Sequence, residues 1–97
     1  MLDIDRGKLA ELCSKHGIRK LSLFGSVLRG EHGPNSDVDL LVEFEPGRVI
    51  GFFEVAEAES DFSVFFGRRA DIRTERDLSR HFRDRVVSEA SELFAAA

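Results

Sequence analysis

Three aspartates and a glycine–serine pair are the residues whose types and spacing could do chemistry. Asp37-Val38-Asp39 opens the apolar run Leu40-Leu41-Val42, and ten residues before it Gly25-Ser26 ends the run Leu21-Ser22-Leu23-Phe24. Successive side chains of a strand point to opposite faces, so Asp37 and Asp39 share one face while Val38 enters the other. Two carboxylates side by side at the head of a buried strand repel each other and lose hydration. A stable fold keeps such a pair where an Arg or Lys, a proton or an oxygen-seeking divalent cation lies between them. Mg²⁺ suits the last case, because it takes one or two carboxylates, keeps waters and fills its shell from substrate phosphates. Upstream, Gly25 lets backbone approach a ligand closely, and the N–H groups at the start of the short helical piece Val27-Leu28-Arg29 attract phosphate. A phosphate cradle and a metal seat, joined by the loop from Gly30 to Ser36, are the equipment for metal-assisted phosphoryl or nucleotidyl transfer.

The spacing Gly25-Ser26, ten residues, Asp37-x-Asp39, set between two apolar strands, resembles the signature of the DNA polymerase β-like nucleotidyltransferases. The fuller string GSVLRGEHGPNSDVDLLVEFEPG is similar to the minimal nucleotidyltransferase (MNT) family, and the resemblance covers nearly the whole chain. It implies an α/β (α+β) fold of the polymerase β-like type, with a small mixed sheet of about three strands and packed helices. It also implies a protein adenylyltransferase that works as an antitoxin. Such an enzyme uses Mg²⁺, two ions in the family pattern, to move AMP from ATP onto a hydroxyl, a tyrosine, of a HEPN-type toxin. By the same resemblance Asp37 and Asp39 bridge metal and nucleotide, Gly25 and Ser26 hold the triphosphate, and Arg29 either reaches the phosphates or anchors the loop through Glu31. The pattern calls for a third acid on a neighbouring strand. Asp71 in Ala70-Asp71-Ile72-Arg73 is the matching position, as metal ligand and general base. The residues alone leave other readings open: Asp71 as a solvated acid paired with Arg69 or Arg73, Asp37 as a cap, and Gly25-Ser26 as an ordinary strand-to-helix turn. Two other functions also stay open. One is an antitoxin that masks its toxin without catalysis; the other is a transferase for a small-molecule hydroxyl such as an aminoglycoside's.

Composition narrows the setting. At 97 residues, with 42% hydrophobic and 33% charged residues, the chain is expected to form one soluble domain, 1–97. No apolar run approaches the roughly 20 residues that span a bilayer, so no membrane contact is expected. The opening MLDIDRGKLAEL does not read as a secretory signal, and the single Cys13 suits a reducing cytoplasm. A net charge of −4 argues against direct nucleic-acid binding, which normally needs a basic face. The chain has no Tyr, so a tyrosine acceptor would belong to another protein. Its length leaves little room for a substrate-binding domain, so the acceptor is expected to bring its own docking surface.

The elements that must position these residues are legible from periodicity. Leu9, Leu12, Cys13 and His16 predict a helix over 5–16; 18–24 and 37–44 read as strands, with a turn at 45–48. A Phe-rich helix over 51–66 ends at Gly67, a short strand covers 69–74, and a last helix runs from Asp77 to about Phe94 with a frayed alanine tail. Either the Phe-rich helix or the stripe Arg76, Arg80, Arg83 could face a partner, although a stripe of this kind is more often a solvated face. Arg76 to His81 spells R-x4-H, a HEPN ribonuclease signature, but HEPN domains are all-helical and three strand patterns exclude that reading here.

Overall fold

A computed structural model describes residues 4–25, Gly30, Gly33 and 36–96. The first helix, α1, spans Arg6–Lys15. Asp5 starts it: its Oδ1 accepts the Lys8 amide at 3.1 Å and satisfies one of the free N–H groups of the first turn. Strand β1 (Ile18–Phe24) follows, then β2 (Val38–Phe44). Helix α2 (Phe52–Phe66) ends at Gly67, whose φ of 68° is the left-handed cap that glycine adopts without strain. Strand β3 (Ala70–Arg73), a single 3-10 turn at Glu75–Asp77, helix α3 (Arg83–Glu89) and strand β4 (Ser91–Ala95) complete the order.

The sheet runs β3-β2-β1-β4, with β2 and β3 parallel and the other neighbours antiparallel. The α2 crossover makes the parallel pair possible, because strands that run the same way need a long connection. Alternation then divides the sheet into two faces. Leu21, Leu23, Val38, Leu40, Val42, Ala70 and Ile72 are buried and pack against Leu9, Cys13, Ala58 and Phe62 of α1 and α2. Phe62, fully buried, is the largest core side chain; removing one such residue from water contributes about 1.5–3 kcal/mol. The opposite face carries Lys20, Ser22, Asp39, Leu41, Glu43, Asp71 and Arg73, so the chemistry-bearing side chains stand on the side away from α1 and α2.

Four expectations are corrected. The sheet has four strands rather than about three, and the helix expected from Asp77 to Phe94 breaks into the 3-10 turn, a seven-residue α3 and β4. The Asp77 carboxylate accepts both the amide (2.9 Å) and the hydroxyl (3.1 Å) of Thr74, which closes a short turn; the chain then extends at Leu78, which is buried. Arg76, Arg80 and Arg83 consequently lie on a 3-10 turn, a further turn and the start of α3, not on one helical stripe. Strand β4 covers the edge of β1, which would otherwise show a row of unpaired N–H and C=O groups. The tail is held rather than frayed as far as Ala96, whose amide donates to the Arg19 carbonyl at 2.8 Å. Among the described residues, no helix is long and apolar enough to cross a membrane.

Candidate active site

Strand register decides where the acids meet. In the parallel pair Asp39 lies opposite Asp71, flanked by Val38 opposite Ala70 and Leu40 opposite Ile72. In the antiparallel pair Phe24 lies opposite Asp39. Side chains opposite one another across a ladder share a face. Phe24, Asp39 and Asp71 therefore form one row across three strands on the open face. Asp37 stands one residue before β2, exposed, and alternation puts it on the same side as Asp39. Register thus puts Asp71 on the same face of the sheet as Asp39.

Gly25, immediately after β1, has a φ of 79°, and a Cβ built on it would fall 2.2 Å from Asp39 Oδ2. No side chain fits there without moving the carboxylate. The missing methyl lets the backbone that leaves β1 come against the acid. Around the loop that follows, the Gly33 amide donates to Ser36 Oγ (2.8 Å), and the Ser36 amide donates to the Gly33 carbonyl (3.2 Å). Arg68, next to the α2 cap, donates from Nη1 to the same carbonyl at 3.3 Å. Gly33 is thereby tied to Arg68, two residues before β3. Ser26, Arg29 and the helical piece expected at 27–29 lie outside the described residues.

Asp71 accepts from Arg73 Nη2 at 3.1 Å, so of the two arginines open as its partner it is Arg73, two residues along the same face, that pairs with it. Among the described residues no group of three or more His, Cys, Asp or Glu side chains forms a ready metal-binding cluster. What the face offers is two carboxylates abreast, a third on the rim, and a cradle that a Cβ would fill. This all-oxygen donor set fits Mg²⁺, which needs only one or two carboxylates beside water and phosphate. The other titratable groups of interest sit on the helical side. His16 Nε2 and Lys15 Nζ lie 2.7 and 2.9 Å from Asp61 Oδ2, and hydrogen bonds from Lys15 first and His16 second hold the Asp61 carboxyl below the usual carboxylate range. Burial pushes the Cys13 thiol up to about 12, which makes it an inert core residue.

One feature of the open face was not foreseen. Strand β4 sets Glu92 opposite Ser22, and a groove of about 80 Å³ opens there, lined by Lys20, Ser22, Leu41, Glu43, Glu75 and Glu92 together with Val87 and Ala90 of the α3 region. The available signal was Ser22 itself, a small polar residue between Leu21 and Leu23 in an otherwise apolar strand.

The nucleotidyltransferase domain family matches residues 6–93. Protein adenylyltransferase MntA of Thermococcus cleftensis is 33% identical over 79 residues, covering 81% of this chain and 78% of that relative. A Methanocaldococcus jannaschii protein, provisionally named a protein adenylyltransferase, is 29% identical over 86 residues, covering 89% of this chain and 90% of its own length. A solved structure provisionally described as a minimal nucleotidyltransferase matches with a TM-score of 0.71 at 40% identity, covering 88% of this chain and 85% of that one. A toxin–antitoxin structure with AMP-PNP matches with a TM-score of 0.74 at 20% identity, covering 96% of this chain and 75% of that one; this likeness is one of fold.

Proposed function

This chain belongs to the nucleotidyltransferase domain family, and from that premise we propose that it is a Mg²⁺-dependent protein adenylyltransferase. In this reading it transfers AMP from ATP to a hydroxyl, a tyrosine's, of a HEPN-type toxin and so neutralises it as an antitoxin. The observation that carries the reading is the Phe24–Asp39–Asp71 row with Gly25 pressed against Asp39. Support for the protein acceptor comes from the names of the adenylyltransferase relatives and from the toxin–antitoxin complexes that share the fold.

Asp37, Asp39 and Asp71 would hold Mg²⁺, which when bound supplies charge neutralisation and polarises the phosphate under attack. The remaining work belongs to the chain. By the family resemblance Gly25 and Ser26, with Arg29, receive the β- and γ-phosphates. Asp71, steadied by Arg73, takes the proton of the acceptor hydroxyl. The acceptor oxygen bonds to the α-phosphorus, the bond from that phosphorus to the bridging oxygen breaks, and pyrophosphate leaves in line. Holding the two reactants in that geometry is the main contribution of the fold.

The test is co-expression of the chain with a HEPN-type partner, followed by intact-mass measurement of the partner. Added AMP in the wild type and none with Asp39→Asn, at unchanged thermal unfolding, is expected. Transfer that persists in Asp39→Asn removes the mechanism, and an unmodified but tightly bound partner in the wild type shifts the reading to masking.

A further inference from the structure

We propose that the groove beside the acids is a recognition slot for one cationic side chain, an arginine or lysine of the acceptor protein, near the hydroxyl that receives the nucleotide. The proposal rests on the transfer reading above and deepens it.

Place comes first. Ser22 and Leu41 are register partners one row along the open face from Phe24 and Asp39, a step of two residues or about 7 Å. A side chain seated there belongs to the same short segment as a group over Asp39 and Asp71. Size comes second. Small-molecule pockets run to roughly 300–1,000 Å³, whereas this one holds about 80 Å³, enough for a side-chain head but not a nucleoside.

Charge and hydrogen bonding then select the head. Three carboxylates, Glu43, Glu75 and Glu92, border the groove against one cation, Lys20. That excess repels a triphosphate. Glu43 is already bonded to Arg19, and Glu92 meets Lys20 only at 3.8 Å with both side chains about half exposed, a pair worth little. Glu75 has no ion-pair partner among the described residues. Ser22 supplies an independent sign. It is 4% exposed, it lines the groove, and its hydroxyl makes no hydrogen bond with another described residue. Among the described residues the only fully buried polar side-chain atom without a partner is Arg83 Nε, so the Ser22 oxygen still meets water, and a guanidinium or ammonium N–H entering the slot would take the place of that water as donor. The walls of Leu41 and Val87 suit the aliphatic stem of such a side chain.

The experiment uses ¹⁵N-labelled protein titrated with N-acetyl-arginine methylamide, and with the citrulline analogue as its neutral isostere. Saturable amide shifts at Ser22, Leu41 and Glu92 with arginine only, lost in Glu75→Gln/Glu92→Gln, support the slot. No saturable shift there with arginine, or equal shifts with citrulline, overturns it. A second arm follows transfer to a HEPN-type partner. The double variant should raise the KM for the partner about tenfold with the KM for ATP unchanged, and a rise in the KM for ATP instead overturns the assignment. Absence of transfer in the wild type counts against the proposed function alone, because the titration reads the slot without it.

Discussion

At Gly25 the backbone takes a φ of 79° with Asp39 Oδ2 where a Cβ would be, so the site's shape depends on an atom that is missing. Gly25→Ala should cost about 1–3 kcal/mol in urea unfolding, from a left-handed alanine and a displaced carboxylate. Its larger effect should be on transfer, which is expected to fall about 100-fold because a misplacement of about 1 Å at reacting groups costs that much. A variant that loses stability but transfers AMP normally would show that the close approach is only a turn. Metal dependence belongs to this scale as well. Chelation should abolish transfer, and added Mg²⁺ should restore it, while the unfolding midpoint hardly moves because a packed sheet rather than a metal holds the fold together.

The pair of helices on the buried side is fastened by Asp61 of α2, which accepts from both Lys15 and His16 at the end of α1. Those bonds lower the Asp61 pKa in the folded state, so their stabilisation is present above the unfolded carboxylate value of about 3.9 and fades as pH falls through the folded one. Urea midpoints measured at pH 5 and pH 3 should therefore differ more in the wild type than in Asp61→Asn. Asp61→Ala leaves the buried His16 ring without its partner, at a cost of about 1–3 kcal/mol at neutral pH. Cys13 of α1 behaves in the opposite sense, because its folded pKa is raised. The neutral thiol stabilises the fold below the free-thiol range and ceases to do so as pH rises through about 12, so alkylation at pH 8 should require unfolding. Elements of this kind were legible because their signals are local. Apolar spacing defined α1, Gly67 closed α2, and the apolar runs marked β1 and β2. The motif likewise marks Asp37 and Asp39, and the family pattern adds Asp71. Strand β4 was not legible, because Ser91–Ala95 has helical-looking spacing and becomes a strand only when the edge of β1 is there to pair with. The groove depends on β4, and it was hidden for the same reason.

Across the whole molecule one sheet serves two media, with a dry face against α1 and α2 and a polar face that holds the acids. The nine Phe residues test how completely that division accounts for the chain. Phe62 is fully buried against the sheet, whereas Phe52 and Phe53, on the same helix, are 82% and 81% exposed and touch each other edge to face with ring centroids 6.0 Å apart. Helix α3 is short and leaves them bare. Phe62→Ala should cost about 3–5 kcal/mol, since the closed core around it cannot collapse into the space. Phe52→Ser/Phe53→Ser should stay within about 0.5 kcal/mol of the wild type. AMP transfer should be unaffected, because α2 packs on the face away from Asp39 and begins beyond the far end of β2. A loss of more than about 1 kcal/mol in the double variant would mean that the chain's own residues cover these rings in solution, and that the polar and apolar faces are not divided as the sheet divides them.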